Sequence, residues 1–135
     1  MDISVHDNVL VSYEVLADKR ELHMHTKAPS INGQRTDIIF RGVEGYYFLH
    51  DNFETIIFDV VEISLDRILE DDRGRFDEGW RFAWPGRWNT GSDAGRRAYL
   101  AQRGVRGFEL SSSYGMSGWI LAKSVERILR NEPVA

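Results

Sequence analysis

The run Thr55 to Ile63 constrains this chain more than any other stretch. It reads Ile56, Ile57, Phe58, then Val60, Val61 and Ile63, so it is apolar on both faces of a two-residue period. Such a strand is expected in the middle of a sheet, covered on both sides. Asp59 is a polar residue inside it and should either reach a partner or mark a sheet end. Asp37 to Val43 and Gly45 to Leu49 precede it as further runs rich in Ile, Val, Phe and Tyr, each ended by turn residues.

Upstream, Val9 to Leu16 alternates, and the alternation resumes at Leu22, Met24 and Thr26 after Asp18-Lys19. A hairpin centred there pairs Val15 with Leu22, Tyr13 with Met24 and Val11 with Thr26 on one face. Glu14 with His23 and Ser12 with His25 then fall on the other. A slip of one residue destroys that match. Lys27 to Arg35 carries Pro29 and Asn32-Gly33 and reads as a loop.

Beyond Ile63 the period changes. Ser64 caps an expected helix with Leu65, Ile68 and Leu69 on its inner side. A second helix is expected from Ser92 to about Arg103, with Gly104 at its C-terminus. A hairpin follows over 105–123, its turn at Tyr114-Gly115 placing Leu110 opposite Trp119 and Phe108 opposite Leu121. Ser124 to Arg130 reads as a last helical turn or two. The expectation is a single α+β domain, 1–135. It has an antiparallel sheet of about six strands, with helices from the second half packed on one face.

The 135 residues suffice for one domain with its own core, and none is cysteine, which excludes disulfides and thiolate chemistry. The start of the chain lacks the basic and apolar regions of a secretory signal, and no apolar run nears the roughly 18 residues of a membrane span. A cytoplasmic protein is expected. The net charge of −4 divides unevenly, 6 Lys/Arg against 15 Asp/Glu in residues 1–72, then 11 against 6 in 73–135. An acidic whole lacks the basic excess of a general nucleic-acid binder and suits a basic partner.

Few residues invite chemistry. His23 and His25 share a strand face and could both reach a metal, but a zinc site needs a third protein ligand. An exposed polar face, with Glu14 beside His23, is the simpler reading. Glu70, Asp71 and Asp72 follow a helix as a solvated end. Ser111 to Ser113 lack nucleophile spacing, and the glycines match no phosphate loop. No cofactor and no metal are expected. Trp80, Trp84 and Trp88 recur every four residues with Arg81 and Arg87 between them, the composition of interface hot spots. Pro85-Gly86 breaks any helical stripe. The alternative is that one or two of these tryptophans plug the core.

Several segments together resemble a family. His6-Asp7 opens it, Phe40-Arg41-Gly42-Val43 follows, then Asn52 to Asp59, and Ser112 to Gly118 closes it as SSYGMSG. This order resembles small bacterial immunity proteins found beside polymorphic toxins, and the match leaves out Leu69 to Gly95. The resemblance implies inhibition by binding, with no catalytic residues to carry over. The function expected is therefore a non-enzymatic binding protein that blocks a toxin acting inside the cell, without nucleic acid or membrane as partner. Trp80, Arg81, Trp84, Arg87 and Trp88 are its expected contact residues. The competing classes are an enzyme or metal-binding module using His23 and His25, and a structural or regulatory oligomeric subunit.

Overall fold

The computed structural model describes residues 3–130. The two ends of the expected domain, 1–2 and 131–135, lie outside the described residues. Eight strands form one antiparallel sheet: β1 Val9–Leu16, β2 Glu21–Lys27, β3 Arg35–Arg41, β4 Gly45–Leu49, β5 Ile56–Ile63, β6 Arg106–Tyr114, β7 Ser117–Ala122 and β8 Ser124–Arg130. Their order is β4-β7-β6-β5-β1-β2-β3-β8. Helices α1 Leu65–Asp71, α2 Arg73–Gly79 and α3 Asp93–Gln102 are inserted between β5 and β6.

This overturns the expected sheet of about six strands with helices laid over one face. The runs Asp37 to Val43 and Gly45 to Leu49 form two separate strands, as read, and Gly42 turns the chain between them at φ +65°. Ser124 to Arg130 is a strand and not a helical end. It pairs along the whole of β3, from Ser124 opposite Arg41 to Arg130 opposite Arg35. The open edge of β3 outweighs local helix preference there, and Val125 gains cover against the core.

The sheet is rolled. Phe40 on β3 and Phe108 on β6 have three strands between them in the pairing order, yet their ring centroids are 5.7 Å apart. A flat sheet would separate those strands by about 19 Å. Only Lys123 separates β7 from β8, and its N–H donates to the Arg41 carbonyl at 2.9 Å. The runs β3–β4 and β7–β8 thus kink together as one bent ribbon that carries the sheet round on itself. Inside lie Leu10, Leu22, Met24, Ile38, Ile57, Leu110 and Ile120 with the two phenylalanines. A second core lies outside the wall, where Ile68, Leu69, Phe76 and Leu100 of the helices cover Trp119 and Leu121 of β7.

Three local expectations need correction. A bulge between Leu10 and Ser12 puts Leu10, not Val11, opposite Thr26, while the other four expected pairs of the β1–β2 hairpin form. In the second hairpin Glu109 faces Trp119 and Phe108 faces Ile120, one residue from the expected register. Because β7 is buried on both faces, gathering large residues on one side was the wrong criterion for it. Finally, β5 lies between β6 and β1, and on its outer side Ile63 packs against the helical core while much of the rest is uncovered. Bulges interrupt its pairing, and Phe58 and Val61 remain 54% and 39% exposed.

Charge is interleaved rather than polarised. Arg97 reaches Asp66 and Glu70, Arg106 reaches Glu62, Arg127 reaches Asp59 and Arg130 reaches Asp37. The basic second half neutralises carboxylates of the acidic first half, so sequence asymmetry does not become a bipolar surface.

Candidate protein-binding surface

The segment between α2 and α3 is tied down by two polar residues. Arg96 on α3 is fully buried, and it donates to Asp77 at 2.5 Å and lies over the Phe76 ring at 5.5 Å. Asn89 is also buried. Its amide nitrogen donates to the carbonyls of Phe76 at 2.8 Å and Trp84 at 2.9 Å, and its oxygen accepts from Gly91 N–H at 3.2 Å. These bonds replace the regular ladder that this irregular stretch lacks.

On that base the three tryptophans separate. Trp84 packs among Tyr47, Phe76 and Trp119 with ring centroids 5.8 to 5.9 Å away. A Cβ on Gly79 would stand 2.5 Å from the Trp84 ring, so only glycine lets the indole lie there. Trp88 stacks on Tyr99 at 5.7 Å and its indole N–H donates to the Glu44 carbonyl at 2.9 Å. Both belong to the outer core. Trp80 does not: it is 44% exposed in a short 3-10 turn, Trp80–Phe82, that the Ala83 residue ends at φ +55°. Phe82 is 84% exposed, and Arg81 and Arg87 are exposed as well.

Tyr47, Arg75, Glu78, Gly79, Phe82 and Trp84 line an adjoining groove of about 370 Å³. The Arg75 guanidinium caps the Tyr47 ring at 4.5 Å, a cation–π contact that holds one wall. Of the expected contact residues, Trp80, Arg81 and Arg87 are on the surface, and Trp84 gives the groove its floor. Trp88 stands apart from it under Tyr99. Sequence reasoning missed Phe82, Tyr47, Arg75, Glu78 and Gly79. Phe82, between Trp80 and Trp84, was the one with a readable signal, since it interrupts the four-residue spacing with another large ring.

The histidines are otherwise engaged. His23 Nε2 lies 2.8 Å from Glu21, and His25 has Asp37 at 2.9 Å from Nδ1 and Glu14 at 2.7 Å from Nε2. Glu14 thus meets His25 rather than its cross-strand neighbour His23. No cluster of three or more His, Cys, Asp or Glu suited to a metal occurs among the described residues. Burial opposes charge on His25, but hydrogen bonds to Asp37 and Glu14 and their negative charge raise its pKa above the ordinary value. Asp37 is likewise disfavoured by burial, yet His25 and Arg130 hold its pKa below the usual carboxylate range. Both ring nitrogens are committed to carboxylates, which leaves no lone pair directed at a metal.

A longer groove, about 680 Å³, runs along β5 between Phe58 to Val61, Ile3, Ser4, His6 and Arg127. Arg127 spans it, donating to the carbonyls of Ile3 at 2.7 Å and Val60 at 2.6 Å and to Asp59 at 3.1 Å. Asp59 therefore reaches a partner, one of its two expected fates. Ser112 donates to the Met116 carbonyl and Ser111 to that of Asp59, so these hydroxyls serve the hairpin.

The motifs that carried the family resemblance sit where the chain turns. Asp7 has φ +65°, Gly42 φ +65° and Gly115 φ +91°. Thr55 accepts from Met116 N–H at 2.9 Å and locks the last hairpin to the 50–55 loop. Comparison with protein-family models, curated proteins and solved structures found no match for this chain. No helix among the described residues is long and apolar enough to cross a membrane.

Proposed function

We propose that this chain is a non-enzymatic binding protein that neutralises a protein partner by covering it. Following the sequence resemblance, the partner is a toxin acting in the cytoplasm beside it. One observation carries the reading: Trp80 and Phe82 project into water, 44% and 84% exposed, from a base held by buried Arg96 and Asn89. Large exposed rings on a fixed support suit hot spots in an interface. Arg81 and Arg87 supply a polar rim. The rival metal-module reading draws no support from His25, whose two nitrogens already face Asp37 and Glu14.

The direct test is to co-express the chain with the product of the adjacent gene. Expected are a stoichiometric complex on purification and rescue of cells from that product's toxicity. A neighbour that neither binds nor harms the cell in the absence of this chain would contradict the proposal.

A further inference from the structure

The two ends of the sheet differ in how they are protected. β8 carries Glu126, Arg127 and Arg130, and Arg127 bridges from it to the Val60 carbonyl of β5. Charges and bridging contacts of this kind are how proteins keep an end strand from recruiting another. β4 has neither. Its sequence is Gly-Tyr-Tyr-Phe-Leu, without a charge or a proline, and its ladder runs to β7 alone. Five residues is an ordinary strand length, long enough to pair.

The groove lies against this end strand, because Tyr47 belongs to β4 and lines the groove with Trp84 and Phe82. Within the groove Arg75 is already paired, with Asp72 at 3.5 Å. Arg96, Arg97 and Arg106 are paired with carboxylates, whereas Arg81 and Arg87 make no ion pair among the described residues. Pro85 packs on Gly45 at the start of β4, so Arg87 is anchored near that end of the strand. Glu78 is the acidic residue lining the groove, and Arg81 adjoins its lining residue Phe82 in sequence.

We infer that β4 is an acceptor edge, taking an extended segment of the protein partner as a ninth strand. That segment carries a large apolar side chain for the Tyr47–Phe82–Trp84 groove and carboxylates for Arg81 and Arg87. Main-chain bonds supply affinity in this mode, and the groove supplies selection. The inference rests on the partner reading above and specifies its contact.

The probe is a blocked nine-residue peptide with a central phenylalanine, flanking valine and threonine, and glutamate at both ends. A second peptide has the same side chains with alternate backbone nitrogens methylated. Titration with amide exchange and sedimentation is the measurement. The first peptide is expected to bind at about 0.1 mM or tighter and to slow exchange within Tyr46–Phe48, and the methylated one to fail. Phe82→Ala, which removes an exposed ring, should weaken binding about tenfold, and Arg81→Glu should weaken it too. Equal binding of both peptides, or none by the first, overturns the inference. So does a dimer without peptide whose β4 amides are already slow, since a second copy then fills the edge. Should the adjacent gene product bind and leave β4 exchange unchanged, the edge fails while the proposed function stands. Peptide binding without any binding by that product has the opposite meaning.

Discussion

At the scale of single residues, His25 makes the most specific electrostatic statement. It lies between Glu14 and Asp37, and Arg130 holds the other Asp37 oxygen at 2.6 Å. The raised pKa of His25 means its contribution is full below about pH 6.5, the unfolded value, and is lost as pH rises through the folded one. Asp37, lowered, contributes above about pH 3.9 and loses that contribution as pH falls through its folded value. Stabilisation by the network is therefore greatest between roughly pH 4 and 6.5. Thermal melts of the wild type and His25→Asn across pH 3 to 9 check this. The difference in Tm should peak inside that window and shrink on both sides. A difference that stays constant from pH 5 to 9 would show that the charge on His25 contributes nothing. Tyr13 is a quieter case. Its hydrogen bond to Asp51 at 2.6 Å, then burial and the Asp51 charge, push its pKa up to about 12, so the phenol stays a donor.

At the scale of elements, β4 depends on a glycine in its neighbour. A Cβ on Gly118 would fall 1.8 Å from the Tyr47 carbonyl oxygen, a backbone atom that cannot swing aside. Gly118→Ala should cost about 2 kcal/mol or more, as overpacking does, and should speed amide exchange in β4 first. Gly74 in α2 meets nothing within 4 Å, and alanine there should stabilise by about 0.5 kcal/mol. Urea unfolding of the two variants separates them, and equal effects would mean that β4 does not approach β7 as closely as described. Much of this level was legible. Ser64 accepts from the N–H of Arg67, as its position before an apolar run implied, and Ser92 accepts from Gly95 N–H at the start of α3. The first hairpin kept its register because one face is apolar and the other polar. Where both faces are buried, as in β7, alternation carries no register information, and the slip by one residue followed. β8 was misread because its strand state comes from the open edge of β3, far away in sequence. In the candidate site, the arginine–tryptophan spacing pointed to the segment that carries the exposed Trp80 and Phe82. It could not separate Trp80 from Trp84 and Trp88, since that sorting depends on Tyr47, Phe76, Trp119 and Tyr99 arriving from elsewhere.

At the scale of the whole molecule, a rolled sheet with a small helical cap divides the labour. The inner core of aliphatic and phenylalanine side chains holds the wall, and the outer aromatic core fastens the cap over β7. The cap in turn carries Trp80 and Phe82 to the surface, Phe82 in the groove beside Tyr47 of the end strand β4. Function by occlusion requires that this corner supply affinity without supplying stability. Calorimetric titration of the adjacent gene product with the wild type and with the double variant Trp80→Ala, Phe82→Ala, alongside thermal melts, puts that requirement to the test. Affinity is expected to fall about a hundredfold or more while Tm moves by no more than about 2 °C, the shift of a minor stability change. Unchanged affinity in a variant that melts like the wild type would contradict it and place the interface elsewhere.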